Sequence, residues 1–172
     1  MEKYGKLVAP GTLKFERLLP GPIDRVWEFL TDAEKRGLWF AAGELEAQQG
    51  GEMKLIFNNS ILSNPSDPTP EKYNEFGDGF ISHATVITYE QNKKLVISWE
   101  GIVTFELEEV GDKVKLTLTH EKLKDDKTYK AGVFAGWHTH LDILFDRLSG
   151  KDPKGFWSIH MPLEEKYERL LD

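Results

Sequence analysis

The chain contains no cysteine. Disulfides, thiolate metal ligands and a cysteine nucleophile are therefore excluded, and a reducing, cytoplasmic setting is the expectation. No apolar run reaches the roughly 18 residues that a membrane helix needs. The opening MEKYGKLVAPGTLKF lacks the apolar centre of a secretion signal, so neither a membrane span nor a targeting segment is expected. Excess positive charge is missing too. Lys and Arg number 22 against 29 Asp and Glu, a formal net charge of −7. With no basic stripe interleaved with aromatics, neither nucleic acid nor an anionic membrane surface is an expected partner. The stretch 121–130, EKLKDDKTYK, mixes both signs and reads as a solvated turn. There is no HExxH, no GxSxG, no internal repeat and no domain linker, so no catalytic residue, metal site or cofactor is assigned.

What is present suits one domain over 1–172, with 150–172 as a C-terminal tail. The 172 residues are 40% hydrophobic, and a chain of this size buries about 70% of its unfolded surface. Leu13, Phe15, Arg17 and Leu19 alternate, which predicts a first strand over 13–19 with one buried face. Pro20-Gly21-Pro22 stops it. Ile23, Val26, Trp27 and Leu30 then recur at helical spacing, predicting a short helix from Pro22 or Ile23. Thr31-Asp32 ends that helix, and either residue can cap a second one running to Leu38. Trp39 and Phe40 follow in a turn toward a sheet.

A run of strands comes next. A hairpin is expected over 44–48 and 52–57 around Gly50-Gly51, followed by strands at 81–89, 94–100, 102–108 and 113–121. In VTFELEEV and GDKVKLTLTH the alternation is strict, which means an antiparallel sheet with one wet face. The segment 58–79, with Pro65, Pro68, Pro70, Gly77 and Gly79, is long for a hairpin loop and reads as mobile or functional. A long helix is predicted over 130–149, closed by Gly150 and Pro153. The tail GFWSIHMPLEEKYERLLD ends in a short helix from near Pro162.

The helix segment GWHTHLDILFDRL carries two histidines and an aspartate. At about 100° per residue, Phe134, Trp137, Leu141, Leu144, Phe145 and Leu148 fall in one stripe, the face turned to the core. His138 and His140 lie about 160° apart on its margins and cannot share one metal ion. His138 and Asp142 share a face but lack a third ligand. Both histidines read as satisfied boundary residues. Trp99, Phe105, Trp137 and Phe145 either fill the space between helix and sheet or line a cavity there. His120 is in phase with Leu116 and Leu118, so it points to the helix side, as a polar group of such a cavity or as a rim histidine bonded to backbone.

The phrases PGPIDRVWEFLTDAEKRGLWF (20–40), GGEMKLIF (50–57), LVISW (95–99), VTFELEEVGDKVKLTLTH (103–120) and AGWHTHLDILFDRLSG (135–150) span nearly the whole chain. In that order they resemble the START-like, helix-grip superfamily, also called SRPBCC. Within it the match is to the bacterial branch similar to the heat-shock-protein-90 ATPase activator. The resemblance implies an α+β fold: a curved antiparallel sheet wrapped around a long C-terminal helix, two short helices after the first strand, and a deep cavity. Relatives bind lipids, sterols, polyketides or other hydrophobic molecules; a few are cyclases or hydrolases, and some act as protein partners. The branch has no universal catalytic motif to carry over.

The expected function is binding of a small apolar or amphipathic ligand, lined by Trp39, Phe57, Phe80, Trp99, Phe105, His120, Trp137 and Leu141. Two alternatives stay open. One is a protein-interaction module or homodimer, using Phe156 and Trp157 of the tail and Tyr73 and Phe76 of the loop as an apolar patch. The other is an enzyme drawing on His83, Glu100, His120 or His138.

Overall fold

The computed structural model describes residues 3–63, 66–76 and 79–172, the side chain of Phe76 excepted. Pro65, Gly77 and the Phe76 side chain, named above, lie outside the described residues. Seven strands form one antiparallel sheet, ordered β1-β2-β7-β6-β5-β4-β3. They are β1 (Lys6–Ala9), β2 (Thr12–Pro20), β3 (Glu52–Phe57), β4 (Phe80–Glu90), β5 (Lys94–Ser98), β6 (Ile102–Val110) and β7 (Lys113–Glu121). Two short helices, α1 (Ile23–Thr31) and α2 (Ala33–Gly37), follow β2. The long helix α3 (Lys127–Leu148) and a terminal helix α4 (Phe156–Leu170) complete the chain. This is the helix-grip architecture.

Alternation places one face of each central strand inward. Leu13, Phe15 and Leu19 on β2 and Val114, Leu116, Leu118 and His120 on β7 are buried, and the two strands pair with Phe15 opposite Leu118. The expected first strand is thus the second. The exposed edge strand β1 has no buried face and so no periodic signal. Between α1 and α2, Asp32 is the cap: its carboxylate accepts from Lys35 N, while Thr31 Oγ1 donates back to the Trp27 carbonyl. The hairpin expected over 44–48 and 52–57 is reduced to two bridges, Ala42 to Ile56 and Leu45 to Met53. His83 lies on the exposed face, beside Glu52.

Two expectations for the C-terminal region are corrected. The terminal helix begins at Phe156, well before Pro162, which sits inside it. Phe156 and Trp157 are buried against the rest of the protein and present no apolar patch. With α4 on one side and the sheet on the other, α3 is covered around most of its circumference. His138, Thr139, His140 and Ile143 are therefore buried beside Trp137 and Leu141, whereas Phe145, assigned to the inner stripe, is 39% exposed. A single-stripe reading presumes one apolar partner, and this helix has two.

Arg36 holds the α1–α2 unit to the sheet edge. It is almost fully buried, and its guanidinium donates to the carbonyls of Leu30, Thr31, Ala41 and Gly43. Burial, only partly offset by Asp32, lowers its pKa to about 10, so it stays charged. Replacing Arg36 by Met strands these carbonyls and is expected to cost at least about 3 kcal/mol in urea unfolding. Arg36→Lys should recover less than half, because an ammonium cannot reach four diverging carbonyls. A loss below about 1 kcal/mol for Arg36→Met would show that water replaces the guanidinium there.

Candidate functional site

Between the sheet, α3 and α4 lies a cavity of about 490 Å³. Its aromatic wall on the sheet side is a row of near-parallel rings. Phe57 stacks on Phe80 (4.8 Å, 14°) and on Trp99 (5.5 Å, 22°). Trp99 reaches this position because the chain turns sharply after β5. Glu100 adopts φ +51° and Gly101 φ +110°. A Cβ on Gly101 would fall 2.1 Å from the Glu121 carbonyl oxygen, so glycine is required. Left-handed backbone at Glu100 is a strained choice for a non-glycine residue. It turns the Glu100 carbonyl to His120, whose Nε2–H donates to it at 2.8 Å. Nδ1 of the same ring accepts from Trp137 Nε1 at 2.9 Å. Burial lowers the His120 pKa against the opposing pull of Glu100, keeping the ring neutral in this role.

The helix side contributes Trp137, stacked on Phe40 (5.0 Å, 28°), together with Gly132 and Gly136 one turn apart. A Cβ built on Gly136 meets nothing within 4 Å, and one on Gly132 meets only the Tyr73 hydroxyl at 3.9 Å. Glycine in a helix interior costs about 1 kcal/mol relative to alanine. Two of them face the cavity where side chains would have room.

The far end is built from α4 and the segment after β3. Glu164 is nearly fully buried. It accepts from Tyr73 Oη at 2.5 Å, from His160 Nε2 at 3.2 Å and from Lys72 Nζ. Burial alone pushes this carboxyl up, but the bonds from His160, Lys72 and Tyr73 outweigh it and hold its pKa at about 2. Tyr73 is pushed up by burial and by Glu164. Neither group titrates near neutral pH, so Glu164 and Tyr73 form a fixed anchor. The segment is fastened further by Trp157 Nε1 to Ser60 Oγ (3.2 Å) and by Asp67, whose carboxylate accepts from Ser158 N and Oγ at 2.9 and 3.0 Å. The described parts of the long 58–79 connection are thus docked on α4, where Asn59, Lys72 and Tyr73 form part of the cavity wall.

Of the eight residues singled out from sequence, Phe57, Phe80, Trp99, His120 and Trp137 border the cavity. Trp39, Phe105 and Leu141 do not; they are buried behind it. Trp39 spends its indole on the Phe29 carbonyl, and Phe105 packs edge-on against Trp137. Sequence reasoning missed Phe40, the two glycines, Tyr73, His140, Trp157 and the His160–Glu164 pair. The i, i+4 spacing of Gly132 with Gly136 and of His160 with Glu164 was the available signal. His138 lies away from the cavity, bonded to Tyr167 Oη at 2.8 Å through Nδ1, with Asp142 3.6 Å from Nε2. Burial lowers its pKa to about 3. Among the described residues no three His, Asp or Glu side chains gather as metal ligands, and no helix is long and apolar enough to cross a membrane.

The model of the family described as Activator of Hsp90 ATPase homolog 1-like protein matches residues 20–149. A Bordetella parapertussis protein solved by NMR in solution superposes with a TM-score of 0.81 at 36% identity, over 98% of this chain and 90% of that one. A conserved protein of unknown function from Enterococcus faecalis gives 0.71 at 20% identity, over 97% and 88%. CalU16 from Micromonospora echinospora gives 0.65 at 22%, over 98% and 94%. The last two show the fold alone. No curated protein matches the chain.

The depressed carboxyl of Glu164 links the anchor to pH. Its stabilisation is fully present above the unfolded value near 4.5 and is lost as pH falls toward about 2. Glu164→Gln should therefore unfold at lower urea than the wild type at pH 7, with the gap shrinking below pH 4.5. An equal gap at pH 7 and pH 3 would contradict an ionised anchor.

Proposed function

Since the chain belongs to the Activator of Hsp90 ATPase homolog 1-like family and has the START-like, helix-grip fold, we propose that it binds a small hydrophobic or amphipathic molecule between sheet and helix. The observation that carries this reading is the bare backbone of α3 at Gly132 and Gly136, facing open space inside an aromatic wall. A cavity kept for packing alone would gain from side chains there, both in helix propensity and in buried apolar area. Glycines let a guest lie against the helix itself.

The volume of about 490 Å³ falls within the range of roughly 300–1,000 Å³ typical of ligand sites, which are mostly apolar with few polar groups. Phe80, 38% exposed, and the exposed Glu100 and Thr128 stand at the mouth. Trp137, Phe40 and Phe156 form the floor. The Glu164 cluster closes the far end and keeps the wall from α4 rigid.

Three tryptophans, Trp99, Trp137 and Trp157, border the space, so their emission reports on occupancy. Titration with a panel of apolar and amphipathic compounds of about ten or more heavy atoms is expected to give saturable quenching. Gly136→Leu fills the cavity from the helix side. It should abolish the saturable response while leaving the melting temperature equal or higher, since leucine is the better helix former. Undiminished saturation in Gly136→Leu would place the ligand elsewhere and remove the proposal.

A further inference from the structure

Three histidines border the cavity: His120, His140 and His160. His120 has both ring nitrogens engaged, one to Trp137 and one to Glu100. The other two rings are each half used. His140 gives Nδ1 to the Trp39 carbonyl at 2.7 Å. A carbonyl only accepts, so Nδ1 carries the proton and Nε2 presents a lone pair with no partner among the described residues. Burial lowers the pKa of this ring to about 4, which keeps it in that neutral form at pH 7. His160 turns Nε2 to Glu164 and to Tyr73 Oη. The Tyr73 proton is committed to Glu164, so Nε2 of His160 must be the donor to the carboxylate. Its Nδ1 is buried without a partner among the described residues and has no open surface toward the cavity, so it takes no part in meeting a guest.

Both side chains are more than nine-tenths buried. Phe156 packs between them, 4.9 Å from the His140 ring and 5.3 Å from the His160 ring. Buried polar groups are nearly always paired, and the free Nε2 of His140, on the cavity wall, lacks a donor. The cation of the wall, Lys72, is already spent on Glu164. Glu164 is held ionised nearby, and Glu100 stands at the mouth.

We propose that the guest presents a neutral hydrogen-bond donor, a hydroxyl or an N–H, to Nε2 of His140, and that carboxylates are disfavoured. This deepens the small-molecule reading above and rests on it. A carboxylate would bring its lone pairs against the lone pair of Nε2. A hydroxyl donates its one proton to that nitrogen while leaving the rest of the molecule to the aromatic wall.

The test is isothermal titration calorimetry at pH 7.4 with three probes of one shape: 2-naphthol, 2-methoxynaphthalene and 2-naphthoate. The naphthol should bind about tenfold or more tightly than its methyl ether, the worth of one well-made hydrogen bond. The naphthoate should bind most weakly. In His140→Phe the preference for the naphthol over the ether should fall toward unity. That variant strands the Trp39 carbonyl and can lose its fold, so the wild-type series decides the matter without it. Equal binding of naphthol and ether, or tightest binding of the naphthoate, would overturn the donor proposal and leave the cavity reading standing. Failure of all three to bind the wild type at millimolar concentration would overturn both.

Discussion

The indole of Trp137 reaches across from α3 to His120, and His120 passes the connection on to the Glu100 carbonyl. Much of the interior geometry depends on this two-bond tie. Apolar contacts between a helix and a sheet are non-directional and would let the layers slide until the gap closed. Hydrogen bonds between buried groups are directional, and breaking one strands its partner at a cost of about 1–3 kcal/mol. The tie therefore fixes both the rotation of α3 and its standoff from β7. It also gives the strained backbone at Glu100 a role, since that conformation offers its carbonyl to the ring.

The terminal helix turns this two-layer grip into an enclosed site. Because α4 packs on the side of α3 away from the sheet, polar residues of α3 are buried on that side and must find partners within the protein. His138 does so through Tyr167, and His140 through the Trp39 carbonyl. Glu164 performs the same service for the segment after β3, gathering Lys72, Tyr73 and His160 around one carboxylate. What remains unpaired after this accounting is confined to a few atoms. Among the cavity histidines, Nε2 of His140 is the one that gives a largely apolar space its chemical polarity.

The fold was legible where one face of an element meets the core and the other meets water. The alternations in β2, β6 and β7 and the helical spacing of Val26, Trp27 and Leu30 are direct records of that boundary. Legibility failed where it did not exist. The exposed β1 leaves no periodic trace, and the segment 44–48 makes only isolated bridges. The start of α4 was hidden because Pro162 reads as an N-terminal residue, although it sits inside the helix, seven residues past Gly155. Phe145 was misassigned for the opposite reason: α3 has apolar partners on two sides, so several stripes are buried and the chosen one was not privileged.

For the site, the sequence by itself determined that aromatic residues and His120 would gather on the inner faces of the sheet and long helix. Residue phase along a strand or helix sets direction, and direction is a local property. Only the tertiary structure decided which of those residues surround open space and which are packed solid behind it. Trp99 and Trp137 border the cavity while Trp39 and Phe105 do not, and no local pattern separates them. The difference arises from distances between layers, which depend on Gly132 and Gly136 lying opposite the rings and on a carboxylate in the last helix meeting a tyrosine about ninety positions earlier. Cavities are made of what neighbouring elements leave unfilled, and that is a property of their arrangement in space.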